Sequence, residues 1–283
     1  MIIFHDPRCT DYYRSGDPER PTRIAKTVPV LQERHASWEW RAPEAATDKM
    51  LRRAHTAEHI DSIKTAAADF DADTPAHPHI HEHAARAAGS AVEAAMAAIG
   101  GQRAFSLMRP PGHHATRTRA MGFCYYSNIA VAALEAIATK VERVAIWDFD
   151  AHHGNGTENI VADNPRFAFA SVHQFPGYPG TGTKSFGNIT NFPVAPLSAR
   201  TKHVAAAEQS LQTLLQFDPD LLLVSAGFDA YSGDPITEMT LEIDDFATFG
   251  RWLREIDLPV AAVLEGGYSG ELPELIDAFL SAW

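Results

Sequence analysis

Five short apolar runs, rich in β-branched residues, alternate along this chain with longer stretches of helical periodicity. The runs are residues 104–108, 144–149, 167–172, 221–225 and 260–264. Runs of this length and composition are typical of parallel strands buried on both faces. Helices are predicted at 23–33, 57–68, 83–99, 129–139, 205–215, 243–255 and 271–282. The alternation predicts an α/β fold, a doubly wound and mainly parallel sheet flanked by helices.

Length and charge limit the classes of function that the chain can serve. A chain of 283 residues with 45% hydrophobic and 21% charged residues is expected to form one globular domain over residues 1–283. The formal net charge of -12 argues against direct binding of nucleic acid through phosphates. The same charge would attract a cationic substrate.

The cysteines and the apolar segments predict the cellular location of the protein. Cys9 and Cys124 lack the spacing of a metal site and do not form a disulfide framework. The apolar start of the chain is too short for a signal peptide, and no run of 18 apolar residues could cross a bilayer. We therefore expect a soluble, cytoplasmic protein that does not bind membranes.

Metal-binding and acid–base side chains follow the apolar runs. Ligands of doubly wound sheets bind beyond the carboxyl ends of the strands, so these positions are where chemistry is expected. Asp148, Asp150 and His152 occupy alternate positions at one such end, which would place them on one side of an extended chain. Two carboxylates and an imidazole are a plausible zinc set with an open fourth position. Asp229, after the fourth run, is a further candidate.

Four histidines, His77, His79, His81 and His83, lie near the predicted start of the helix at 83–99. They could bind metal at the surface. However, no carboxylate or cysteine set completes a site there. We therefore predict solvent-facing histidines without a role in the function.

Six sequence blocks combine the candidate residues at the ends of the apolar runs. They are Arg109-Pro-Pro-Gly-His-His114, Gly122-Phe-Cys-Tyr-Tyr-Ser-Asn128, Asp148-Phe-Asp-Ala-His-His-Gly-Asn-Gly-Thr157, Tyr178-Pro-Gly-Thr-Gly182, Ser225-Ala-Gly-Phe-Asp229 and Glu265-Gly-Gly-Tyr268. In order and spacing these blocks resemble the zinc-dependent histone deacetylase family, which has the arginase/deacetylase fold, and most of all its class II and bacterial amidohydrolase members. The resemblance extends over about residues 1–283.

The resemblance implies a role for each residue of the centre. It makes Asp150, His152 and Asp229 the ligands of one catalytic zinc ion. Among the catalytic residues it includes His113, His114, Asp148, Asn155 and Tyr268. His113 would be held by Asp148, His114 would move protons, and Tyr268 would stabilise the transition state. Asn155 stands where class I members carry an Asp, so His114 would lack a carboxylate partner and be less basic.

The resemblance also implies how the substrate is held. Gly122, Phe123 and Tyr178 would bind the substrate, and the two aromatic rings would wall a tunnel for an acyl-lysine side chain. Asp73 would grip the substrate backbone at the tunnel mouth. Ile236 stands where polyamine-selective members place an acidic residue.

Two further features follow from the resemblance. A structural potassium ion is implied beside Asp148, surrounded by Ser171 and the backbone of Asp150, His152 and Val172. The N-terminal His-Pro-Glu-x-Pro block of the family is present as Asp17-Pro-Glu-Arg-Pro21, and no catalytic role is expected of it.

The expected function is zinc-dependent removal of acetyl or other acyl groups from lysine side chains of a peptide or protein. The alternative is hydrolysis of acetylated polyamines or other small N-acyl amines. A non-catalytic acyl-lysine reader would have lost a ligand or the tyrosine, and this chain keeps them all. An arginase-like ureohydrolase would need a second metal site. The identity of the ion is a separate question, because iron could replace zinc in the predicted site.

Overall fold

A computed structural model describes all 283 residues and contains eight strands and nine α-helices. The strands are β1 (Ile2–Phe4), β2 (Glu39–Arg41), β3 (Ala104–Ser106), β4 (Val144–Asp148), β5 (Phe167–Gln174), β6 (Ile189–Val194), β7 (Leu221–Ala226) and β8 (Val260–Leu264). They form one sheet in the order β2-β1-β3-β8-β7-β4-β5-β6, and every neighbouring pair is parallel.

Helices cover both faces of this sheet. They are α1 (Thr22–Arg34), α2 (Asp48–Ala54), α3 (Ala57–Lys64), α4 (Ile80–Ile99), α5 (Asn128–Thr139), α6 (Asn155–Val161), α7 (Arg200–Leu215), α8 (Ile243–Arg254) and α9 (Leu272–Ala282). One apolar core lies between the sheet and α1, α7, α8 and α9, and a second lies between the opposite face and α2 to α5. The predicted doubly wound α/β fold is confirmed.

Strand β4 shows why the central strands read as continuous apolar runs. Val144 and Ile146 enter one core, whereas Ala145 and Trp147 enter the other, and all four are fully buried. Because alternate side chains point to opposite faces, a strand covered by helices on both sides needs apolar residues at every position. Removing such a side chain from water contributes about 1.5–3 kcal/mol.

The five strands predicted from the sequence are present, with small shifts at their ends. The first ends early, at Ser106, and the third extends to Gln174, so that His173 lies inside β5 and not after it. The sequence analysis missed β1, β2 and β6. The first two have three residues each, too few to show a period, and β6 contains Pro193. A proline is tolerated there because β6 is an edge strand that pairs only with β5.

The strand order positions the functional site. The four adjacent strands β3, β8, β7 and β4 end at Ser106, Leu264, Ala226 and Asp148, and the segments that follow them meet at one edge of the sheet. None of the helices is both long enough and apolar enough to span a membrane.

Candidate functional site

Asp150, His152 and Asp229 come together at the carboxyl edge of the sheet. Their ligand atoms all lie within 4.8 Å of one another. His152 Nδ1 is 2.8 Å from Asp229 Oδ2 and 3.1 Å from Asp150 Oδ1, and both carboxylates are fully buried. Two buried carboxylates are costly without a positive partner, and two oxygens with one imidazole nitrogen are ligands that a divalent metal accepts. The residues present therefore fit such an ion.

Backbone amides orient the two carboxylates. Ala151 N donates to Asp229 Oδ1 at 2.8 Å, and Gly266 N donates to Asp150 Oδ2 at 2.7 Å. A Cβ atom at position 266 would collide with an oxygen of each carboxylate, so only glycine fits there. Such outer contacts aim the ligand oxygens before a metal binds.

Asp148 does not belong to this group, which corrects the set predicted from alternate spacing. Strand β4 ends at Asp148, so the alternation of an extended chain does not continue through Asp150 and His152. Asp148 Oδ2 instead lies 3.0 Å from His113 Nδ1, and its other oxygen accepts the Asp150 N–H at 3.1 Å. The group named by the resemblance, with Asp229 as third member, is the one that the structure brings together.

His113 and His114 are adjacent, buried and electrostatically different. His113 donates its Nδ1 proton to Asp148. Burial lowers the pKa of this imidazole, but the carboxylates of Asp150 and Asp148 outweigh burial and raise it to about 10. His114 has no carboxylate partner; its Nδ1 donates to Asn155 Oδ1 at 2.8 Å. Burial and the nearby imidazoles hold the pKa of His114 well below its usual range. The pair thus offers one charged and one neutral ring.

Glu265 holds the backbone at Gly112 and His113, a contact that the sequence analysis missed. Its Oε2 accepts the N–H groups of Gly112 and His113 at 2.7 and 3.1 Å, and its Oε1 accepts the Ser225 hydroxyl at 3.1 Å. Burial raises the pKa of this carboxyl to about 7 despite these donors. The signal in the sequence that could have indicated this contact is a glutamate directly after a buried strand.

A cavity of ≈ 240 Å³ opens beside His114 and His152. All five residues predicted to bind substrate lie on its wall, together with Tyr268 and Pro18. The five are Asp73, Gly122, Phe123, Tyr178 and Ile236. The Tyr178 ring lies 5.1 Å from that of His114, and the Phe123 ring lies 5.9 Å from that of Tyr268. The cavity is therefore walled by aromatic rings.

The backbone at Gly122 and Phe123 is left-handed, with φ of 56° and 68°. Glycine is required at 122, because a Cβ atom there would collide with His114 and press on Tyr178. Phe123 adopts an unfavourable conformation for a bulky residue, and its N–H donates to Thr74 Oγ1 at 3.2 Å. This conformation turns Phe123 towards the cavity.

The Asp17–Pro21 block, of which nothing catalytic was expected, contacts the tyrosine turn through Arg23. Buried Glu19 binds Arg109 at 2.5 Å and Arg23 at 3.1 Å. Arg23 Nε donates to the Gly267 carbonyl at 2.7 Å, and its guanidinium lies 4.8 Å from the centre of the Tyr268 ring. The sequence analysis missed this network because Arg23 binds a backbone carbonyl, and no pattern of residue types marks such a partner.

The residues predicted to surround potassium lie at and after the end of β4 and inside the neighbouring strand β5. Asp148 of β4 pairs in register with Ser171 of β5, and Val172 follows. The Ser171 hydroxyl lies 2.9 Å from His173 Nδ1. The potassium ion itself stays a prediction.

The four N-terminal histidines are less exposed than predicted. His79 is exposed, but His83 is buried and His81 Nδ1 lies 2.9 Å from the Tyr126 hydroxyl. His83 is buried because α4 begins at Ile80 and packs against neighbours on most of its surface. Both cysteines are buried and free, and burial raises the pKa of the Cys9 thiol to about 12.

Comparison with known proteins identifies the family. The family model described as histone deacetylase domain matches residues 17–282. A probable deacetylase of Archaeoglobus fulgidus is 34% identical over 298 residues, covering 96% of this chain and 82% of that protein. A histone deacetylase-like amidohydrolase of Pseudomonas aeruginosa is 36% identical over 273 residues, covering 89% of this chain and 72% of the relative.

Among solved structures, the acetylpolyamine aminohydrolase of Burkholderia pseudomallei superposes with a TM-score of 0.91 at 26% identity. The match covers 100% of this chain and 98% of that one. This chain therefore belongs to the histone deacetylase family and is an enzyme of the deacetylase and amidohydrolase type.

Proposed function

We propose that the protein is a zinc-dependent hydrolase that removes acetyl or other acyl groups from lysine side chains. One observation carries the proposal: the Asp150, His152 and Asp229 group lies beside a cavity that also exposes His114 and Tyr268. An amide placed in this cavity meets a metal site, a neutral imidazole and a phenol at once. These are the components that amide hydrolysis requires.

The residues of the chain divide the reaction between them. When bound by the three ligands, zinc supplies the positive charge that polarises the substrate carbonyl. His114 is the general base, because its Nδ1 proton is committed to Asn155 and its Nε2 is free to accept a proton from the attacking water. His114 then returns this proton to the departing amine, so that one imidazole serves both steps.

Two further residues stabilise the charge that develops on the carbonyl oxygen. Tyr268 donates a hydrogen bond to this oxygen from the cavity wall. His113, held by Asp148, contributes a positive charge beside His114. Removing one such donor costs about a hundredfold or more in turnover.

His114→Ala and Tyr268→Phe test this assignment. Each variant should turn over an acetyl-lysine peptide at least about a hundredfold more slowly than the wild type, while the metal content stays at one ion per chain. Near-normal turnover in either variant would refute its role. Two catalytic ions per chain would instead favour an arginase-like enzyme, and binding of acetyl-lysine without turnover would favour a non-catalytic reader.

The shape of the cavity and Ile236 support acyl-lysine as the substrate. Aromatic walls from Phe123 and Tyr178 suit a methylene chain, and Asp73 at the mouth suits the backbone amides of a peptide. Ile236 places an apolar side chain on the cavity wall. The second ammonium group of a polyamine would need a carboxylate at that position.

Acetylated polyamines are the second candidate. The structural similarity to an acetylpolyamine aminohydrolase favours them, as does the net charge of -12. The ratio of kcat/KM for an acetyl-lysine peptide to that for acetylspermidine separates the two substrates, and a clear preference for the polyamine would reverse our ranking. Reconstitution with zinc or iron, with and without potassium, identifies the native ions.

A further inference from the structure

Asp234 contacts the backbone of two residues that line the cavity, Tyr268 and Ile236. Its Oδ2 accepts the Tyr268 N–H at 2.7 Å, and its Oδ1 accepts the Ile236 N–H at 3.1 Å. The residue is 6% exposed, so both hydrogen bonds lie in a largely dry environment.

The contact with Tyr268 is one of the two hydrogen bonds that hold its turn. Tyr268 follows two glycines, and Gly267 has φ of 119°, a conformation that only glycine adopts readily. The Gly267–Tyr268 peptide is held at both of its polar atoms. Arg23 donates to its carbonyl, and Asp234 accepts its N–H. The direction of the phenol therefore depends on two hydrogen-bonding side chains that approach from different segments.

The contact with Ile236 extends this constraint to the cavity rim. Residues 234–237 form a rim loop: Ile236 lies on the cavity wall, and the Thr237 hydroxyl donates to the backbone carbonyl of Asp229 at 2.5 Å. One carboxylate thus joins the segment that meets the substrate to the turn that carries the phenol.

We propose that Asp234 is a positioning residue that couples the rim loop to Tyr268 and so sets the placement of the phenol during catalysis. This inference rests on the function proposed for Tyr268. The local alternative is that Asp234 only closes its own turn through the Ile236 N–H, as aspartates commonly do two residues ahead in loops. A local role would affect folding or binding but would not act through the phenol.

A double-mutant cycle on the full-length, zinc-loaded enzyme distinguishes the positioning role of Asp234 from the local role. Asp234→Asn keeps the size of the side chain, but an amide has a single acceptor oxygen and can serve only one of the two N–H groups. With an acetyl-lysine peptide, kcat of D234N should fall about tenfold in the wild-type background and change less than about twofold in the Y268F background, because residues that act as a unit are not additive.

Asp220→Asn is the control for replacing a carboxylate that accepts backbone N–H groups. Asp220 accepts those of Glu142 and Arg143 at 2.9 Å each, both through Oδ2, and it lies exposed at the amino-terminal end of β7, away from the site. D220N should leave kcat unchanged. Thermal unfolding and metal content are measured on every variant, and Asp234→Ser, which retains one oxygen, replaces D234N if the latter does not fold.

The result that overturns the inference is an equal fall of kcat in both backgrounds, or no fall in the wild-type background. Failure of the proposed function would give a different result. Y268F alone would then turn over at a near-normal rate, or the wild-type enzyme would not act on acyl-lysine at all.

Discussion

Asn155→Asp tests whether His114 is the general base. The substitution places a carboxylate where Asn155 Oδ1 now accepts the His114 Nδ1 proton at 2.8 Å. The two charge centres would lie roughly 4 Å apart, where opposite unit charges attract by about 4 kcal/mol at the effective dielectric of a protein. Asn155 is partly exposed, so solvent reduces this attraction to about 2–4 kcal/mol.

This attraction stabilises the protonated form of His114 and raises its pKa. Because His114 accepts a proton only when neutral, kcat/KM falls as the pH drops through this pKa. In the wild type the pKa lies well below its usual range, so the acidic limb lies at low pH. In N155D the limb should move to higher pH by roughly one and a half to three pH units.

The assay is a pH profile of kcat/KM with an acetyl-lysine peptide, with metal content measured at each pH. Asn159→Asp provides the control, since Asn159 lies one turn further along α6 and accepts the Arg117 N–H, away from His114. An acidic limb that stays in place in N155D, or that moves as far in N159D, would refute the assignment of His114 as the base.

Three further outcomes are expected. Gly266→Ala should lose both bound metal and activity, because its Cβ would displace the carboxylates of Asp150 and Asp229. Gly270→Ala is the control and should keep both, since its Cβ meets nothing within 4 Å; metal analysis and turnover measurements check the pair. Ile236→Glu should raise kcat/KM for acetylspermidine relative to an acetyl-lysine peptide by about tenfold, because a new carboxylate on the cavity wall meets the second ammonium; an unchanged ratio contradicts this placement. A chelator should abolish activity and zinc should restore it, whereas activity that survives complete metal removal would exclude a metal role.

The candidate site could be predicted in part because its chemistry lies in side chains that follow strands. In a parallel sheet every carboxyl end faces the same edge, which made Asp150, His152 and Asp229 candidates, and the resemblance grouped them and assigned Tyr268. Asp148 shows where the spacing argument fails. Spacing assigned it to the metal set, whereas the resemblance paired it with His113, and the structure places it beside His113 because β4 ends at Asp148.

The supporting residues could not be predicted in the same way. Glu19, Asp234 and Glu265 act on the site through backbone N–H groups or through an arginine that binds a backbone carbonyl. Every residue but proline has the same backbone groups, so no pattern of residue types marks the partners of such contacts. The burial of His83 was missed for a related reason, since it depends on what packs around α4.

The order of the strands has a consequence for metal binding and stability. His152 and Asp229 are 77 residues apart, and Asp229 follows β7, which lies between β4 and β8 in the sheet. The three candidate ligands therefore come together only when β7 is inserted between its two neighbours. A metal ion held by all three would bind the folded chain in preference to the unfolded chain, and it would raise the free energy of unfolding as its concentration rises.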